Sequence, residues 1–90
     1  MSMNGDARDP LGRILVVEDE RIVALDLVRT LEDLGYVVVD SVATGEAAVA
    51  RAAEMLPDLI LMDIRLAGEL DGVRAADAIR RSANVPIIYL

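Results

Sequence analysis

Ile14-Leu15-Val16-Val17 runs directly into Glu18-Asp19-Glu20, and Leu59-Ile60-Leu61-Met62 runs directly into Asp63. Neither apolar run is interrupted by a polar residue. A strand of that kind is covered on both faces, the usual condition in a parallel sheet. Each run stops on an acid, so each delivers a carboxylate to the rim of the sheet. If the two strands are parallel neighbours, Glu18, Asp19 and Asp63 converge. Three carboxylates at one place repel each other unless something positive lies between them.

Outward from these two runs the pattern alternates between strand and helix. From about Glu20 to Leu34, the apolar residues Val23, Leu27, Val28, Leu31 and Leu34 follow helical spacing, and Gly35 is a natural stop. Tyr36 to Val39, reaching toward Val42, is a second β-rich run. Thr44-Gly45-Glu46 opens an Ala-rich helix to about Leu56, which Pro57 closes. A loop follows Asp63 through Leu66-Ala67-Gly68-Glu69-Leu70. Asp71 is placed to cap a third helix over about Gly72 to Arg81, with Val73, Ala76 and Ile79 as its expected inward side. Val85-Pro86-Ile87-Ile88-Tyr89-Leu90 is the fourth strand. Residues 1–12 have no periodicity and read as a flexible tail.

The order β-α-β-α-β-α-β with short connections predicts an α/β fold: a doubly wound parallel sheet between two helical layers, with right-handed crossovers. Ligands of such sheets bind beyond the carboxyl ends of the strands, where the strand order reverses. If the strand order is 2-1-3-4, that point lies between the strands that end on Glu18-Asp19 and on Asp63.

Composition narrows the chemistry. Ninety residues allow one small domain, and with 54% hydrophobic but 2% aromatic residues its core must be aliphatic. The absence of Cys excludes disulfides, thiolate metal sites and cysteine nucleophiles, and the absence of His removes the commonest general base. All nine basic residues are arginine, against sixteen acids, for a net charge of −7. Such a surface is a poor match for nucleic acid or an anionic membrane. No apolar run is long enough to span a bilayer and Met1 to Asp9 has no signal-peptide core, so a cytoplasmic location is expected.

Two readings of the strand-end acids stand side by side. Asp19 or Glu20 could cap the first helix, a common use of acids after strands. Alternatively, hard oxygen donors without His or Cys favour Mg²⁺ or a similar cation that keeps several waters. Asp63 would then be a metal ligand, a nucleophile toward phosphorus, or both. Asp40 is assigned to the surface, Met55 and Met62 to core filling, and Tyr89 to packing.

From Arg13 to Leu90 the chain resembles the receiver domain of two-component response regulators. Ile14 to Glu20 resembles the family's first strand with its acidic pair, and Thr44 to Ala48 the turn into its second helix. Pro57 to Asp63 resembles the strand bearing the phosphoacceptor, Asp71-Gly72 the start of the third helix, and Val85 to Leu90 the fourth strand. The resemblance implies a flavodoxin-like sheet and a regulatory domain, not a metabolic enzyme. It further implies that a histidine kinase or phosphotransfer protein phosphorylates Asp63. Asp19 would hold Mg²⁺ directly, Glu18 through water, and Asp63 and the backbone carbonyl of Arg65 would complete the protein ligands. Leu66 and Ala67 occupy the stretch where the family commonly has a Met-Pro pair, and Asp71-Gly72 arrives one residue later than in its commonest pattern, which implies a slightly longer loop beside the site.

The family's fifth strand and last two helices would lie beyond Leu90, so residues 13–90 are expected to form a partial receiver domain. The same is true of a Ser or Thr just after the fourth strand and a Lys on the fifth. The isolated 90-residue polypeptide is therefore expected to accept phosphate poorly and to self-associate through an exposed fourth-strand edge. The output domain is not specified. Rival readings are an aspartate-nucleophile phosphatase, disfavoured by Arg65 two residues after Asp63, and a nucleotide binder, disfavoured by the acids where a Gly-rich loop is needed. A receiver-like interaction module without phosphate cycling is the main alternative.

Overall fold

The computed structural model describes residues 10–90 except 67 and 69. Residues 1–9 of the expected tail, and Ala67 and Glu69 of the loop, thus lie outside the described residues. The elements run β1 (Arg13–Val17), α1 (Arg21–Leu34), β2 (Val37–Val42), α2 (Gly45–Met55), β3 (Leu59–Met62), α3 (Gly72–Ser82) and β4 (Ile87–Tyr89). The four strands form one parallel sheet in the order β2-β1-β3-β4. Within the segment read as a tail, the Leu11 N–H donates to the Gly35 carbonyl at 3.0 Å, and the Gly12 carbonyl accepts from Val37 at 2.9 Å.

Local chemistry explains most element boundaries. Thr44 Oγ1 accepts the Ala47 N–H at 3.1 Å and starts α2, and Asp71 Oδ1 accepts the Arg74 N–H at 2.9 Å and starts α3. Gly35 ends α1 in the left-handed region, φ 105°, with its N–H returned to the last turn. α2 ends instead on Leu56, a non-glycine residue at φ 47°. The Arg13 guanidinium bonds the carbonyls of Met55 and Leu56 at 2.7 and 2.8 Å, satisfying acceptors that the end of α2 leaves open.

The two faces of the sheet are covered unequally. Leu15, Val17, Ile60 and Met62 face α2 and α3 and join Ala48, Ala52, Leu66, Ala75 and Ile79 in the main core. The alternate residues Ile14 and Val16 are buried as well, on the side of α1. On α1 itself Leu27, Val28 and Leu31 are half-buried, whereas Val23 and Leu34 are exposed. Of the methionines assigned to core filling, Met62 is fully buried and Met55 half-buried. Tyr89 packs against the main core.

One inward side was misread. α3 buries Gly72, Ala75, Ala76 and Ile79, while Val73 is 53% exposed. The buried set is spaced i, i+3, i+4, i+7 and consists mainly of small residues, because α3 packs closely on the Ala-rich α2. Size, not hydrophobicity, set the rotation of the helix. Asp40 also differs from its surface assignment: it is half-buried and accepts from Arg51 Nε at 2.7 Å.

Candidate functional site

β1 and β3 are paired in register, Val17 opposite Met62, so the next residue of each strand, Glu18 and Asp63, emerges at the same level of the rim. Their backbones are anchored there. The Glu18 N–H donates to Val42 and the Asp63 N–H to Val17, both at 2.9 Å. Parallel strand order therefore does what the two acid-terminated runs suggested: carboxylate oxygens of Glu18, Asp19 and Asp63 all lie within 4.8 Å of one another.

The three acids have different surroundings. Glu18 is only 6% exposed, and its Oε2 accepts the Glu20 N–H at 3.0 Å. Burial pushes its carboxyl above the ordinary carboxylate range. The Glu20 N–H opposes that shift, while the charge of Asp63 and contacts with the Asp19 and Asp63 carboxyls add to it. Asp19 is exposed and Asp63 half-buried. Asp63 Oδ1 accepts the Arg65 N–H at 3.0 Å, which turns the chain sharply after β3. The cap reading fails for α1, whose N-cap is Glu20 with no side-chain hydrogen bond to the helix.

An open cleft of about 710 Å³ lies over this rim, lined by Asp19, Glu20, Asp63, Ile64, Arg65 and Leu90. Arg65 is exposed and is the single basic residue of that lining. Three contributions were not legible beforehand. Glu20 reaches the cleft, the Leu90 N–H extends the rim by donating to Met62 at 2.9 Å, and Gly72 supports Asp63 from below. A Cβ on Gly72 would collide with the Asp63 carbonyl oxygen and lie 2.8 Å from Ile64 Cα, and the Gly72 N–H donates to Ile64 at 3.0 Å. Only glycine lets α3 start directly against the end of β3.

A parallel sheet with an acidic trio at its switch point defines a regulatory α/β domain of the receiver class. Comparison with known proteins agrees: the pattern of the response regulator receiver domain matches residues 14–90. The chain belongs to that family, the receiver domains of two-component systems. It is 36% identical over 78 residues to the transcriptional regulatory protein PdtaR of Mycobacterium tuberculosis, covering 87% of this chain and 38% of that protein. Among solved structures, the signal receiver domain of a modulated diguanylate cyclase from Desulfovibrio desulfuricans superposes with TM-score 0.83 at 44% identity, covering 88% of this chain and 63% of that one. The anti-anti-sigma factor PhyR of Bartonella quintana, crystallised with the anti-sigma factor NepR, gives TM-score 0.80 at 33% identity over 87% of this chain and 32% of that one. The chain spans well under half the length of the curated relatives it matches. Among the described residues no helix is long and apolar enough to cross a membrane.

Proposed function

We propose that this chain is a phosphoacceptor: Asp63 takes a phosphoryl group from a histidine kinase or phosphotransfer protein, in the cytoplasm, and thereby signals to a protein partner or output domain. The observation that carries the reading is the convergence of Glu18, Asp19 and Asp63 oxygens within 4.8 Å. An all-oxygen donor set, one member buried and held above its ordinary pKa by burial and its acidic neighbours, suits a hard divalent cation. Mg²⁺ would be held by Asp19, Asp63 and the Arg65 backbone carbonyl, with Glu18 acting through water. When bound, it supplies the positive charge that lowers repulsion between Asp63 and an incoming phosphoryl group.

The chain's own part in the transfer is positional. An Asp63 oxygen attacks phosphorus, the P–N bond to the donor imidazole breaks, and an acyl phosphate forms on Asp63. The Arg65 N–H bond to Oδ1 and the Val17 bond to the Asp63 N–H hold the nucleophile at the rim during attack. PhyR, of which the matching region is 32%, was crystallised with a protein partner, NepR, which favours a protein as the partner of the longer protein to which this domain would signal.

The test is a Mg²⁺ titration followed by amide chemical shifts, combined with acetyl phosphate labelling read by mass. Shifts centred on Asp63 and Ile64, with slow labelling abolished by Asp63→Asn, are expected. A chain that shows neither response is an interaction module without phosphate cycling.

A further inference from the structure

Glu20 is not explained by the fold. It occupies the N-cap of α1 but makes no side-chain hydrogen bond to the helix, in a position where Ser, Thr, Asp or Asn would stabilise it better. Its backbone is nevertheless pinned, because its N–H donates to Glu18 Oε2 at 3.0 Å. The residue is exposed and lines the same cleft as Asp19 and Asp63, without joining the three whose oxygens converge within 4.8 Å. The cleft thus carries a further negative charge beside the trio, with Arg65 as the basic residue of its described lining.

We infer that Glu20 is a fourth acid of the cation site, acting through metal-bound water, and that it sets how tightly the site holds a divalent ion. The inference rests on the proposed Mg²⁺ site. A magnesium ion keeps several of its waters, and carboxylates beyond the direct ligands accept hydrogen bonds from them and raise affinity. Glu18 links Glu20 to the trio, since its carboxylate, one of the three that converge, also accepts the Glu20 N–H. A carboxylate about 5 Å from a divalent ion in water, screened at about 0.1 M salt, changes its affinity roughly fivefold.

The competing account is that Glu20 serves α1 alone, as an acid near a helix N-terminus. Two substitutions separate these. Glu20→Gln removes the charge, whereas Glu20→Ser removes it while installing a better N-cap, so α1 keeps its stability. Glu32→Gln removes the same charge from the far end of α1, about 18 Å away along the axis. Mg²⁺ is titrated into each protein at about 0.1 M salt, following the Asp63 and Ile64 amides, with thermal melts in chelator to confirm folding. Both Glu20 variants should bind Mg²⁺ about fivefold more weakly than wild type, and Glu32→Gln less than twofold. Glu20 variants indistinguishable from Glu32→Gln would overturn the role of Glu20 while leaving the trio intact. A wild-type chain without any response at Asp63 would overturn the site itself, and the role of Glu20 with it.

Discussion

At the scale of single residues, Glu18 is where the site and the stability of the domain meet. Its folded pKa is raised above the ordinary value of 4.5, mainly by burial. The native state therefore binds more protons than the unfolded state in the interval between the two values. Stability must fall as pH rises through that interval and stay low above it. In chelator, the urea midpoint should decline from about pH 4.5 toward neutrality, and Glu18→Gln should flatten the decline while keeping an acceptor for the Glu20 N–H. Added Mg²⁺ should restore the wild-type midpoint at neutral pH by binding the folded state. A wild-type midpoint that rises over the same range would sink this account. The acids themselves were legible in the sequence because they terminate apolar runs. That Glu18 is the buried one was not, since burial depends on which side of the rim α1 crosses.

Elements are held by their ends, and the ends make distinct predictions. Gly72 starts α3 against the Asp63 and Ile64 backbone, so Gly72→Ala must displace main chain rather than a flexible side chain. A loss of about 2–4 kcal/mol in denaturant unfolding is expected, together with shifted Asp63 amide signals. Leu56 presents the opposite case. It is 68% exposed at φ 47°, so Leu56→Gly sacrifices little burial and relieves a left-handed conformation. The Arg13 bond to the Leu56 carbonyl survives the change, and the variant should gain about 0.5–1 kcal/mol. The capping roles of Thr44 and Asp71 could be read directly from sequence, because a cap is a contact between residues three apart. The rotation of α3 could not. Its alanines offer little hydrophobic contrast, and only the close approach of α2 selects Ala75 over Val73 for the interior.

Over the whole molecule, the apolar cover is lopsided. The α2–α3 side of the sheet holds the main buried core, while on the α1 side Leu59 and Leu61 are half-buried and Ile88 is 51% exposed on the edge strand β4. Edge strands with apolar residues recruit further strands. A polypeptide of these 90 residues should therefore self-associate at high concentration, and Ile88→Lys should shift light-scattering masses toward monomer. A monomeric wild type at the same concentration would count against the edge as a contact surface.

The sequence by itself determined the succession of strands and helices, the parallel sheet, and the acids that end its first and third strands, while the spatial order β2-β1-β3-β4 that brings those acids together is a tertiary fact. The former follow from patterns a few residues long: unbroken apolar runs, helical spacing, caps, and acids at strand ends. Only the tertiary structure decided which acid is buried, that glycine at 72 lets α3 start against the end of β3, and that Glu20 shares the cleft with Asp19 and Asp63. These are distances between segments far apart in the chain, and they are set by how helices pack on the sheet, which no local pattern encodes.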